Sequence, residues 1–141
     1  PAVAVFAIDD TREKGRLSQK QRDNLTDYLS SQLGAGGVFK IIPKAELQAA
    51  LRSAKAETYR QCYDESCQIE IGKEVAAEKS VATKIVRFGT TCIITSVLYD
   101  LRRGSSDTSG HFKGKCDSDT LLSGLEAVAS QLRSGTQTPA T

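Results

Sequence analysis

The stretch Ala2-Val-Ala-Val-Phe-Ala-Ile8 decides the fold class. It is almost wholly apolar and rich in β-formers, with no alternation of wet and dry positions, so it suits a strand covered on both faces. Such a strand needs packed layers on either side, and the segments that follow supply them. After the polar loop from Asp9 to Arg16, Ser18-Gln-Lys-Gln21 has the S-x-x-Q form of a capping box and opens a helix. Leu25, Tyr28, Leu29 and Leu33 recur at three- and four-residue steps as one apolar stripe. The stripe stops at Gly34-Ala-Gly-Gly37, where glycine can take the left-handed cap. Val38-Phe-Lys-Ile-Ile42 is a short second strand, and Pro43 suits the first turn of a helix that turns Leu47, Ala50 and Leu51 inward.

The helical pattern decays from Arg52 to Arg60 and resumes near Glu65, with Cys67, Ile71 and Val75 spaced four apart. Ser80 to Phe88 and Thr91 to Arg102 have strand composition, separated by Gly89, and Ser109 to Cys116 reads as the return strand of a hairpin. Asp117-Ser118 can cap a last helix carrying Leu121, Leu125, Val128 and Leu132. The order predicts an α/β (α+β) domain over residues 1–133: a mixed sheet of about five strands with a β-α-β-α start, an antiparallel C-terminal hairpin and flanking helices. Residues 134–141, Ser-Gly-Thr-Gln-Thr-Pro-Ala-Thr, are polar and aperiodic and read as a flexible tail or the start of a linker.

Composition limits the function classes. The 141 residues are 39% hydrophobic and 26% charged, which are globular proportions, and the absence of Trp and Met makes the core aliphatic. Nineteen Lys and Arg against seventeen Asp and Glu give a net charge of +2, interspersed along most of the chain, so there is no electrostatic case for nucleic acid or an anionic membrane. No run approaches the roughly 18 apolar residues of a membrane span, and no signal-peptide succession is present. A chain that starts at Pro1 and lacks Met reads as a processed product or an excised domain.

Cys62, Cys67, Cys92 and Cys116 form an even set with three possible pairings. Zinc is poorly served, because the tight C-x2-C pairs of structural sites are missing and His111 is the only histidine. A catalytic dithiol is equally poorly served by the C-x4-C spacing of Cys62 and Cys67. Disulfides and buried free thiols remain. Folding the hairpin around Gly104 with a three-residue loop puts Arg102 opposite Ser106 and Cys92 opposite Cys116, within bridging range. Cys62 and Cys67 can bond only if a turn across Tyr63 to Ser66 bends the helix entrance. Geometry therefore favours disulfides 62–67 and 92–116, and with them an oxidising compartment.

Other candidates have plain alternatives. Asp9 and Asp10 end the first strand, where α/β folds often hold functional groups, but without a third acidic ligand nearby they read as a solvated turn. Asp100 ends another strand in the same way. Gly34 to Gly37 follows a helix, the wrong order for a phosphate loop. His111 has no Ser or Cys partner at a motif spacing. Arg102 and Arg103, at the hairpin tip, are the residues placed for contact with a partner. No catalytic, cofactor-binding or metal-ligating residue is assigned.

Val3-Ala-Val-Phe-Ala-Ile8, the capped helix ending in Leu29-Ser-Ser-Gln-Leu33, Val38-Phe-Lys-Ile-Ile42 running into Pro43-Lys-Ala-Glu-Leu47, and Ile69-Glu-Ile-Gly-Lys-Glu-Val-Ala-Ala77 come in an order that resembles the TolB amino-terminal and CsgG-like group of bacterial envelope domains. The likeness runs from about Ala2 to Leu132, and the cysteines look like those of a cysteine-bearing branch. Unlike CsgG itself, the chain has no long amphipathic hairpin, so membrane insertion by this domain is not expected. The resemblance implies a non-catalytic, periplasmic or otherwise extracytoplasmic domain that binds another envelope protein, in a motility, secretion or lipoprotein assembly. It implies no cofactor and no nucleic acid. The alternatives are a small-ligand sensor, which needs an apolar pocket with a few converging polar groups, and a thiol-redox protein, which needs an exposed reactive cysteine.

Overall fold

An amino-terminal strand with no polar face has to be buried twice, and the chain achieves this by threading parallel neighbours along both of its edges and helices over both of its faces. In the computed structural model, which describes residues 1–53 and 62–137, β1 (Ala2–Val5) lies between β3 (Lys40–Ile41) and β4 (Lys79–Phe88), parallel to both. β4, β5 (Thr91–Asp100) and β6 (Ser105–Gly114) continue as an antiparallel meander, giving the order β3-β1-β4-β5-β6. The first strand is shorter than the apolar run suggests. Ile8 N–H turns to the Thr26 hydroxyl at 3.1 Å, and the chain regains β4 only at the two-residue β2 (Asp9–Asp10), which makes the sheet six-stranded.

Helix α1 (Gln19–Gly34) starts at Ser18 with the full reciprocal capping box, Gln21 N–H to Ser18 Oγ and Ser18 N–H to Gln21 Oε1. Its Leu29 and Leu33 join Val3, Val5 and Ile8 of the sheet and Leu121, Leu125, Val128 and Leu132 of α4 (Ser118–Gln137) in one aliphatic core. On the opposite face Ala4 and Phe6 meet Leu47 and Ala50 of α2 (Lys44–Ser53), Ile71 of α3 (Glu65–Glu74), Val75 and Leu101. The alternation of Val3, Ala4, Val5 and Phe6 between two cores is the physical meaning of the unbroken apolar run.

Two local readings change. The hairpin turn has four residues, because Asp100 Oδ1 accepts the Arg102 and Arg103 N–H groups at 2.9 and 3.1 Å while Gly104, at φ 69°, donates to Asp100 O. With a bulge at Leu98/Tyr99 this shifts the register, so Cys92 faces Gly114 and not Cys116, and Tyr99 rather than Arg102 faces Ser106. The final helix also runs on through Ser134 to Gln137. Its Gly135 packs so closely on β6 that a Cβ there would lie 2.7 Å from Thr108 Oγ1, which anchors a stretch that composition alone presents as tail. Residues 138–141, and most of the Ser53 to Glu65 stretch where the helical pattern decays, lie outside the described residues.

Candidate interaction surfaces

All four cysteines are among the described residues, and they are bridged as Cys62–Cys67 and Cys92–Cys116. Cys67 sits in the first turn of α3 and Cys62 just before it, with a Cα separation of 5.5 Å. Tyr63 and Asp64 make the bend, and the buried Gln68 side chain donates to Cys62 O at 2.9 Å. Cys116 lies beyond the end of β6, yet its Cα is 5.1 Å from that of Cys92. This bridge ties the β6–α4 connection to the buried start of β5, and Cys92 is itself part of the aliphatic core.

The strand-end aspartates are not a solvated pair. Asp10 is buried and grips Arg12, which is buried too: Oδ1 accepts from Nε and Oδ2 from Nη2, both at 2.8 Å. Oδ2 also accepts Leu17 N–H, Arg12 O accepts Arg16 Nε–H, and Arg12 Nη1 points to Cys92 Sγ at 3.5 Å. Burial pushes the Asp10 carboxyl up, but the hydrogen bonds from the Arg12 side chain and from the Leu17 and Arg12 N–H groups outweigh it and hold the group below the ordinary carboxylate range. The pair locks the β2–α1 loop onto the second disulfide. Composition does not mark it: Ile8, Asp10 and Arg12 alternate with more exposed residues and continue one buried face that the fold alone reveals.

The β5–β6 turn carries Arg102 and Arg103 outward. Their side chains are 82% and 80% exposed, and their nearest carboxylates, on Glu78 and Asp100, are 3.7 and 4.0 Å away. Ion pairs this exposed are worth little, so both guanidinium groups are available to a partner. The turn beneath them is fixed by Asp100, which the Arg103 N–H, with that of Arg102 behind it, holds below its usual pKa range. Tyr99 Oη–H donates to Gly104 O at 2.6 Å and braces the other side.

His111 is exposed on the edge strand β6, its ring Nε2 3.4 Å from Ser109 Oγ, and its main-chain N–H and C=O both bond the Gln131 amide of α4, at 2.8 and 3.0 Å. That clamp occupies the edge at its middle. A cleft of about 960 Å³ opens between Asp9, the start of α1 and the end of α2, and its rim is charged: Arg16, Arg22 and Arg52 with Asp9 and Asp23. A smaller hollow of about 340 Å³ lies on the sheet between Tyr63, Ile69, Val97 and Tyr99. Neither Arg102 nor His111 lines either concavity.

These features define a class: a small mixed-sheet domain, doubly bridged, that presents a braced, exposed turn beside two surface concavities. No family model and no curated protein matches the chain. Among solved structures it is similar to the LpoB C-terminal domain from Salmonella enterica, with a TM-score of 0.69 at 17% identity over 81% of this chain and 82% of that one. It is similar to lipoprotein GNA1162 from Neisseria meningitidis, with a TM-score of 0.60 at 13% identity over 84% and 82%. TolB from Acinetobacter baumannii matches at a TM-score of 0.51 and 12% identity, over 96% of this chain but 27% of that one. The chain has a TolB/LpoB-like fold.

Proposed function

We propose that this chain is a non-catalytic, extracytoplasmic protein-binding or scaffolding domain of a bacterial cell-envelope assembly. The observation that carries this reading is the pairing of two disulfides with a fold found in a bacterial lipoprotein. Bridges of this kind persist where thiols are oxidised, outside the cytoplasm. A small-ligand sensor is the second reading: the larger cleft is open and rimmed by charge, but the hollow of about 340 Å³ between Tyr63, Ile69, Val97 and Tyr99 has the apolar lining with a few polar groups that such a site needs. A thiol-redox role would require one of the bridges to open during turnover.

Recognition is assigned to Arg102 and Arg103. A braced turn costs little to order on docking, and Arg is favoured at interface anchors. Arg102→Glu combined with Arg103→Glu should weaken capture of an envelope protein from solubilised native envelopes by about tenfold or more, with the melting temperature unchanged, since single exposed ion pairs contribute about 0–1 kcal/mol. Equal capture by the double variant across a salt titration would remove the turn from the interface.

A further inference from the structure

Among the described residues, the three-stranded meander is covered by helices along one face, and on the other only Tyr63 and the start of α3 reach its edge. α1 and α4 pack on the face holding Val81, Ile85, Ile94 and Leu98, whereas α2 and α3 cover Ala4 and Phe6 of the amino-terminal half on the other side. The remaining open face has three successive rows in register: Ala82 beside Val97 and Ser109, Lys84 beside Thr95 and His111, Val86 beside Ile93 and Lys113. Phe88, two residues past Val86 on the same face, is 79% exposed and is the exposed large hydrophobic among the described residues. β-branched residues on a wet strand face are ordinary. A Phe left 79% exposed at the end of such a face is not.

Charge along this face changes sign. Lys84 and Lys113 stand on it, Arg87 falls on the opposite face and bonds Gly89 O, and Asp9 and Glu65 line the hollow at the Val97 end. Ala82 to Phe88 spans about 20 Å at strand rise, the length of roughly 13 helical residues. Three strands are about 10 Å wide, one helix diameter. The open strip is therefore the size of one helix, with Ala82 and Val97 on one side of a polar row, Val86, Ile93 and Phe88 on the other, and Lys84 and Lys113 at its sides. It ends in the hollow between Tyr63, Ile69, Val97 and Tyr99, which can take one large side chain.

We propose that this face docks an amphipathic helix of a partner protein, apolar along the contact and flanked by acidic residues where it crosses Lys84 and Lys113. The proposal rests on the protein-binding reading above and names a second surface for it. A lipid surface is disfavoured because a bounded hollow suits a side chain better than a planar bilayer, and a second copy of this chain is an outcome of the test. The strip's Phe88 end lies at the opposite end of β5 from Arg102, so the two surfaces are tested separately.

The probe is a synthetic 14-residue helix with Leu and Phe on one face and Glu on its flanks, compared with the same peptide carrying Lys for Glu. Titrated into the oxidised domain, the Glu peptide should shift the amide resonances of Lys84, Val86, Phe88, Ile93, Thr95 and Lys113. Its affinity should fall about tenfold in Phe88→Ser and again in Lys84→Glu with Lys113→Glu, and the Lys peptide should bind at least tenfold more weakly. Equal binding of both peptides, shifts confined to the Arg102 turn, binding to phosphatidylglycerol vesicles but not to the peptide, or a dimer in sedimentation that Phe88→Ser abolishes would each overturn it. Capture of an envelope protein that survives Phe88→Ser would leave the protein-binding reading intact while removing this face from it.

Discussion

Cutting Asp10 to Ala should cost the domain about 3–5 kcal/mol and lower its melting temperature by roughly 10–20 °C, because it leaves the Arg12 guanidinium buried without its counter-charge. The loss comes from the stranded cation more than from the pair's net worth. Asp10→Leu with Arg12→Met should therefore be less damaging than Asp10→Ala alone. The pair also gives an acid limb with a definite sign. The folded Asp10 pKa lies below its unfolded value, so its stabilisation is complete above the ordinary carboxylate range and is lost as pH falls through the depressed folded value. Urea unfolding at neutral pH and at successively lower pH checks both parts. An Asp10→Ala variant within 1 kcal/mol of wild type would show that the pair is not holding the β2–α1 loop.

The second large effect belongs to the bridge between Cys92 and Cys116. Its sequence separation is 24 against 5 for Cys62–Cys67. Loop-closure entropy then assigns about 3.5 kcal/mol to the first and about 2 kcal/mol to the second. The gap should widen because Cys92 is 1% exposed in the core and its sulfur faces Arg12. Paired Ala variants, Cys92→Ala with Cys116→Ala and Cys62→Ala with Cys67→Ala, should unfold at clearly different urea midpoints, the former lower. The reverse order would mean that the short bridge, by setting the entry to α3, matters more than loop length.

What the sequence disclosed and what it withheld follow from the range of the interactions. The capping box at Ser18, the stripe through Leu29 and Leu33, and the mixed sheet rest on near neighbours and on periodicity, and all are present in the fold. The hairpin register differs from the one a three-residue loop gives because it depends on the Asp100 side chain capturing two N–H groups and on a bulge, neither of which changes composition. Cys116 still reaches Cys92 through the segment beyond β6. The burial of Asp10 is hidden in the sequence because two adjacent aspartates at a strand end look wet, whereas in the fold Ile8, Asp10 and Arg12 continue a buried face. The open strip at Phe88 was also invisible in sequence, since the charges that flank it come from strands about 30 residues apart and meet only through the sheet.

The measurement that bears most directly on the protein-binding reading is crosslinking in the native cell followed by identification of the attached proteins. The account predicts adducts with one or a few proteins of the periplasm or outer membrane, attached to a domain whose cysteines resist alkylation until reductant is added. Adducts confined to cytoplasmic proteins, on a domain with four freely alkylated thiols, would contradict it.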